Sequence, residues 1–355
     1  EWPERNTMKK IQKLQQEKRD AYDYYIAGNE DTEKNKKIFL VDDIVEEICK
    51  PDKYFLIGEK GSGKTAYSVY MSKSDKINSF CSISLVENTL YQRFLNMKRQ
   101  KALELSSFKD VWINLIYLIL AEKIRKEYGE TFFSSMKYKQ LSKAIDVFYS
   151  DAFKPEFVNA FEFVDNASAS INSMMKQGLF STGTKASAET SQKYVEQSFQ
   201  ISLLKIRDGF EKAFMSVNLK KPTILFVDGI DARPRDIDNE QYFECLVGLV
   251  NAVLEMNQSF LKEKQIKIML LIRPDIMYKM PVHNMNQKLR NNSVLLNWVT
   301  SYRKYIDSKL FKIADDYFMK QQDYSYELGE CWNYYFPYKV EYQEKWKAPD
   351  NPFVE

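Results

Sequence analysis

The chain is poor in the residues that build metal sites and disulfide frameworks. It has one histidine, His283, and its four cysteines, Cys49, Cys81, Cys245 and Cys331, form no C-x-x-C pair. These spacings exclude a recognisable zinc site and a small disulfide-rich domain. Isolated buried thiols are typical of a reducing compartment, and we therefore expect a cytoplasmic protein.

Long apolar runs are missing as well. The longest predominantly apolar stretch extends from Ile113 to Ala121 and is interrupted by Asn114, whereas a transmembrane helix needs roughly 20 apolar residues. No signal peptide is visible, and we expect no membrane association. The first residue is Glu1 rather than Met, and we expect the chain to be a segment of a longer protein.

Neither sign of charge is in large excess. Charged residues make up 28% of the chain, and the formal net charge is +3. This near balance argues neither for nor against nucleic-acid binding, because a local basic patch is compatible with it. The hydrophobic content of 44% in 355 residues is enough for two domains, or for one large α/β domain with inserts.

The most informative stretch runs from Gly58 to Thr65 and has the form G-x-x-x-x-G-K-T, which is the signature of a phosphate-binding loop. Residues 53–57 predict a buried strand before it, and residues 65–71 predict a helix after it. In that context the backbone N–H groups and the helix start form an anion cradle. Lys64 adds a positive charge for the β- and γ-phosphates, and the Thr65 hydroxyl is placed to bind Mg²⁺.

We therefore predict that the chain binds ATP and Mg²⁺. The alternative is a glycine-rich turn that carries a lysine without binding a ligand. The predicted nucleotide contacts are Gly58, Glu59, Lys60, Gly61, Ser62, Gly63, Lys64, Thr65 and Ala66.

A second carboxylate-bearing strand is predicted at residues 223–228, where consecutive bulky apolar residues fit a strand covered on both faces. Asp228 is at its carboxyl end, where open α/β sheets bind ligands, and it is the second predicted Mg²⁺ ligand. Asp231 is placed to orient or deprotonate the attacking water. The alternatives are that Asp228 caps a loop and that Asp231 begins a helix.

A further buried strand is predicted at residues 266–272 and ends at Arg273. An arginine at this point can sense the γ-phosphate or stabilise charge in the transition state. The alternative is an ordinary ion pair between Arg273 and Asp275 or Asp228. Residues 293–298 predict a last short strand.

We expect three regions along the chain. These are an N-terminal helical segment (1–37), a P-loop ATPase domain (38–298) with an insert around 129–193, and the start of a helical C-terminal or lid region (299–355). In the last region, residues 299–318 predict a helix, and an aromatic, irregular stretch includes Trp332 and Trp346.

Four elements stand in order: Gly58–Thr65, Ile224–Asp231, Met269–Asp275 and Ser293–Trp298. With them the sequence resembles the additional-strand P-loop ATPases, the division that includes AAA+ and STAND proteins. It also looks like a family of poorly characterised bacterial P-loop ATPases with GxKGSGKTA and hhhhDGhD motifs.

The resemblance implies a three-layer α/β fold with a central, mostly parallel sheet and an extra strand between the phosphate-loop strand and the Walker B strand. It implies catalytic roles for Lys64, Asp228, Asp231 and Arg273. Many STAND proteins have an acidic residue where this chain has Ala232, so hydrolysis is expected to be slow or to need a partner.

The resemblance also implies an ATP-hydrolysing switch that controls self-assembly or the engagement of an effector protein, in signalling or phage defence. One alternative is a catalytically weak nucleotide-binding scaffold. Another is a nucleic-acid-stimulated ATPase, which needs a basic groove. Candidates for an arginine finger that reaches a neighbouring subunit are Arg233, Arg235 and Arg290.

Overall fold

The computed structural model describes residues 42–86, 108–129, 138–151, 203–231, 239–280, 291–298, 305–322 and 325–336, together with residues 13, 21, 23, 39, 135 and 289. They form an α/β fold. Its strands are β1 (Phe55–Gly58), β2 (Phe80–Leu85), β3 (Thr223–Asp228), β4 (Ile266–Ile272) and β5 (Ser293–Leu296).

The helices follow in chain order. They are α1 (Asp43–Cys49), α2 (Lys64–Lys73), α3 (Phe108–Tyr128), α4 (Lys139–Asp151), α5 (Asn239–Gln258), α6 (Pro274–Lys279), α7 (Lys309–Met319) and α8 (Glu330–Tyr335). Residues 203–216 are also helical.

The strands form one five-stranded sheet in the order β2-β3-β4-β1-β5. β1 pairs with β4, β4 with β3, and β3 with β2, and all three pairings are parallel. The predicted α/β class and parallel sheet are therefore confirmed. β4 lies between β1 and β3, which is the order that the resemblance implied. The carboxyl ends of these four strands share one edge of the sheet.

The chain divides into two compact units. The first comprises Glu1–Glu47, Gly58–Ser74 and Leu295–Glu355, and the second comprises Ile48–Ile57 and Asp75–Val294. The boundaries that we placed after residues 37 and 298 stay predictions. Most of the predicted insert and of the N-terminal segment lies outside the described residues.

The core of the second unit is built around α3, whose side chains are buried on almost every face. Trp112 donates its indole N–H to the backbone oxygen of Cys245 on α5, at 3.1 Å. Tyr117 stacks against Phe210 and Phe214 with ring centroids 5.9 and 5.5 Å apart. Although α3 is apolar, no helix in the described part of the chain is both long and hydrophobic enough to span a bilayer.

The described part of the C-terminal region differs from the expectation. The predicted helix at 299–318 is observed as α7, which begins after Ser308, where the Ser308 hydroxyl accepts a hydrogen bond from the Phe311 N–H at 3.1 Å. The stretch around Trp332 was predicted to be irregular, which is wrong, because it forms α8. The Asp315 carboxylate caps α8 by accepting hydrogen bonds from the N–H groups of Gly329 and Trp332.

Candidate functional site

The loop that follows β1 packs tightly against the end of its own strand. A Cβ atom at Gly58 would lie 2.3 Å from the Ser62 hydroxyl oxygen and 2.9 Å from the Leu296 Cβ. Both separations are shorter than real Cβ contacts, so a side chain at the first residue of the motif would force its neighbours to shift. The Ser62 N–H closes the turn by donating to the Glu59 oxygen at 3.1 Å.

Two left-handed glycines shape the rest of the loop. Gly61 has a φ of 82° and Gly63 a φ of 90°. Gly63 is the N-cap of α2, and no side chain caps this helix start. Backbone N–H groups at such a start point along the helix axis and carry partial positive charge. Left-handed glycines ahead of a helix start are also a feature of anion-binding loops.

The Lys64 side chain folds back over this loop. Its ammonium group donates to the backbone oxygens of Gly58 at 2.7 Å and Glu59 at 3.0 Å, and the residue is only 9% exposed. The positive charge is thus held at the loop. Hydrogen bonds from an ammonium group to a phosphate are stronger than those to a neutral carbonyl. A phosphate at the loop would therefore compete well for this group.

Side chains outside the motif brace α2. The Tyr67 hydroxyl donates to the Asp42 carboxylate at 2.9 Å, and the Phe39 ring stacks on Tyr70 with centroids 4.3 Å apart. Burial, together with the Asp42 charge, raises the pKa of Tyr67 well above its usual value. Burial also raises the pKa of Asp42, although the Tyr67 hydrogen bond acts in the opposite direction. These contacts fix the helix that carries Lys64.

The loop suits a magnesium site completed by water and phosphate better than a metal site built from protein side chains alone. Among the residues that the structure describes, no group of three or more His, Cys, Asp or Glu side chains converges to hold a metal ion. Mg²⁺ in phosphate-transfer sites keeps water and phosphate oxygens as ligands and uses only one or two protein side chains. Thr65, half-buried in the first turn of α2, fits a magnesium site to which the protein supplies only one or two side chains.

Asp228 ends β3 in the second unit and is 8% exposed. Its carboxylate accepts a hydrogen bond from the Gly229 N–H at 2.7 Å, and its backbone oxygen accepts one from the Val86 N–H at 2.8 Å. Gly229 has a φ of 83°, and a Cβ there would lie 2.9 Å from the Val86 oxygen. The strand end is therefore tightly defined, and it lies at the carboxyl edge of the sheet, as predicted.

Arg273 lies between two carboxylates of the second unit. Its guanidinium makes a bidentate contact with Asp275, at 2.9 and 2.7 Å, and lies 4.0 Å from the Asp231 carboxylate. The structure thus brings Arg273 and Asp231 together. It also shows the Asp275 ion pair that the sequence offered as the alternative role of Arg273.

The remaining predicted residues are placed as follows. Glu59 and Lys60 are exposed on the loop, and Ala66 is half-buried in α2. Ala232 and the three candidate finger arginines, Arg233, Arg235 and Arg290, lie outside the described residues.

One contact of the loop was missed from the sequence. The Trp298 indole N–H donates to the Ser62 oxygen at 2.9 Å. Trp298 is the last residue of the strand predicted at 293–298, which is observed only as far as Leu296. No local pattern connects it to a loop so far away in the chain.

Comparison of the chain with models of protein families, with curated proteins and with solved structures found no match.

Proposed function

We propose that this chain binds ATP through residues 58–66 and hydrolyses it as a magnesium-dependent, P-loop ATPase switch. The observation that carries the proposal is the position of Lys64. Its ammonium group is held over the loop by the Gly58 and Glu59 oxygens, next to the left-handed Gly61 and Gly63 and the uncapped start of α2. A buried cation beside the backbone amides of a helix start suits a polyphosphate.

The strand order supports the finer assignment of the fold. β4 lies between β1 and β3, and the three strands are parallel. We assign the chain to the three-layer, additional-strand P-loop NTPases on this order together with the motif. The AAA+- or STAND-like character remains part of the proposal and depends on the sequence resemblance.

In this proposal the loop amides and Lys64 bind and neutralise the β- and γ-phosphates, and Asp231 orients the attacking water. When bound, Mg²⁺ supplies further charge neutralisation at the phosphates, with Thr65 and Asp228 as its proposed protein ligands. Arg273 stabilises charge that develops on the transferred group. Positioning and electrostatics supply most of the rate enhancement, since the reaction needs little covalent chemistry from the protein.

The direct test uses Lys64→Ala, with the exposed Lys76→Ala as a matched loss of charge. Loss of a charge-assisted contact costs about 1.5–3 kcal/mol, so ATP affinity should fall at least roughly tenfold in Lys64→Ala. Phosphate release should fall to background, and Lys76→Ala should match the wild type in both measurements. Equal ATP affinity and turnover in wild type and Lys64→Ala would refute the proposal.

A catalytically weak nucleotide-binding scaffold is the second candidate. The bidentate pairing of Arg273 with Asp275 favours it, because an arginine already held by a carboxylate has to exchange partners before it can contact a phosphate. Phosphate release over time, with Asp231→Asn for comparison, separates the two functions. Rates at background in both proteins, with ATP affinity intact, would identify the scaffold.

The proposed output is a change in assembly or in contact with an effector protein. A role in signalling or phage defence follows from the sequence resemblance alone, and a cytoplasmic location from the isolated cysteines. A contact made only with the γ-phosphate would make assembly depend on the nucleotide. Measuring the mass of the protein in solution with ATP, with ADP and without nucleotide tests self-assembly. Salt-dependent binding of a labelled oligonucleotide would instead favour a nucleic-acid-stimulated ATPase.

A further inference from the structure

We propose that Trp298 is a positioning residue for the phosphate loop, which it holds in the orientation that receives a triphosphate. This inference rests on the proposed function, because it concerns the same loop. Its basis is the hydrogen bond from the Trp298 indole N–H to the Ser62 oxygen, at 2.9 Å.

The end of β5 meets the loop at two points. The first is the Trp298–Ser62 hydrogen bond, and the second is the close approach of the Leu296 Cβ to Gly58. Ser62 is only 4% exposed, whereas Trp298 is half-buried at the surface. The indole therefore anchors a peptide group of a buried residue, although Trp298 is not itself one of the buried core residues.

The planarity of the peptide bond explains what this anchor does. The oxygen of Ser62 and the N–H of Gly63 belong to one peptide plane, and no peptide bond in the described structure is cis. In a trans peptide these two groups point in opposite directions. By holding the Ser62 oxygen, the indole directs the Gly63 N–H away from itself and fixes the orientation of the helix N-cap.

The loop needs such an anchor because of its glycines. Gly61 and Gly63 flank Ser62, and glycine reaches both halves of φ space at almost equal cost. The peptide planes on either side of Ser62 are therefore intrinsically free to rotate. Without the indole, the Gly63 N–H samples orientations that cannot contact a phosphate, and binding has to restore the right one.

The test uses Trp298→Phe, which keeps an aromatic ring but removes the donor. Trp112→Phe is the matched control, because its indole also donates to a backbone oxygen, that of Cys245, but deep in the core and on α3. ATP affinity should fall about fivefold to tenfold in Trp298→Phe, the loss expected for about one hydrogen bond, with its melting temperature close to that of the wild type. Trp112→Phe should melt at a lower temperature and bind ATP like the wild type.

Amide hydrogen exchange in the nucleotide-free protein gives an independent readout. Exchange in the segment 58–66 should be faster in Trp298→Phe than in the wild type and unchanged in Trp112→Phe. Wild-type exchange in this segment together with wild-type ATP affinity in Trp298→Phe would overturn the inference. If the wild type itself bound no ATP, the proposed function would fail, and the exchange rates alone would decide whether Trp298 positions the loop.

Discussion

At the scale of single residues, Gly58→Ala tests the tight packing of the loop. The added methyl group would lie too close to the Ser62 side chain and to the Leu296 Cβ, so the loop has to move away from β5. We expect ATP affinity to fall by at least about tenfold, as judged by titration, because the amides lose their alignment. An ATP affinity equal to that of the wild type would show that the close approach of Gly58 is dispensable.

The same loop shows how far a motif predicts a site. The glycine-rich pattern ending in Lys64 and Thr65 predicts a strand, a turn and a helix, and the structure has all three in order. The pattern does not predict which backbone oxygens hold Lys64 or that an indole anchors Ser62. Those contacts depend on residues brought together by the fold, and a local pattern contains no information about them.

Lys267 is a second buried residue whose environment the sequence did not reveal. It lies on β4, is 7% exposed, and donates to the backbone oxygens of Ile48 and Lys50. These oxygens are at the end of α1, where a lysine satisfies groups that the helix leaves without partners. Burial lowers the pKa of Lys267 to about 8, from an ordinary value of 10.5.

This shifted pKa predicts a pH dependence of stability. Between about pH 8 and pH 10.5 the unfolded chain keeps a proton that the folded chain has lost. The contribution of Lys267 to the free energy of unfolding therefore rises with pH in this window, by about 1.4 kcal/mol per pH unit at most. Below pH 8 both states hold the proton, and this contribution is constant.

Urea unfolding of the wild type and Lys267→Met from pH 7 to pH 10 measures this effect. The stability of the wild type relative to Lys267→Met should increase above pH 8, whereas the exposed Lys262→Met should follow the wild type at every pH. If the difference in the free energy of unfolding between wild type and Lys267→Met were the same at every pH, the Lys267 pKa would not be lowered.

At the scale of elements, the helices predicted at residues 65–71 and 299–318 are observed as α2 and α7. α4 was not predicted, yet Tyr138, Leu141, Ile145 and Phe148 recur at helical spacing, and all four are buried. This helical spacing lies within residues 129–193, the stretch that we assigned to an insert. α8 is a different case, because its cap comes from Asp315 on another helix, and such a tertiary contact cannot be derived from local sequence.

Packing between α3 and α5 is tested by two glycine substitutions. A Cβ on Gly248 of α5 would lie 2.6 Å from the Phe108 Cβ and 3.0 Å from the Lys109 nitrogen, whereas one on Gly209 meets no atom within 4 Å. Gly248→Ala should lower the free energy of unfolding by about 1–3 kcal/mol through overpacking. Gly209→Ala, in a helix with open space, should raise it by about 0.5–1 kcal/mol.

Denaturant unfolding of both variants provides the measurement. Because the two substitutions add the same methyl group in helices, intrinsic helix propensity is matched between them. A stabilised Gly248→Ala protein would show that α3 and α5 are not as close as the structure has them.

At the scale of the whole molecule, the sequence predicted the class of the fold and the strands of the sheet, including β2 from the alternating pattern of residues 79–85. Runs of apolar residues predicted β3 and β4, because a strand that is buried on both faces does not alternate between apolar and polar residues. Strand order was predicted only through the resemblance, because the sequence of a strand does not identify its neighbours. The division into two units was not predicted, since each unit combines segments that are far apart in the chain.

The ATP proposal depends above all on phosphate binding by residues 58–66. A crystal structure of the complex with Mg²⁺ and a non-hydrolysable ATP analogue is the sharpest check of that binding. We expect the analogue's phosphates within hydrogen-bond distance of the amides of residues 61–65, and the Lys64 ammonium moved from the Gly58 and Glu59 oxygens to a phosphate. A fully occupied complex in which the analogue binds elsewhere, while Lys64 still donates to those two oxygens, would refute the proposal.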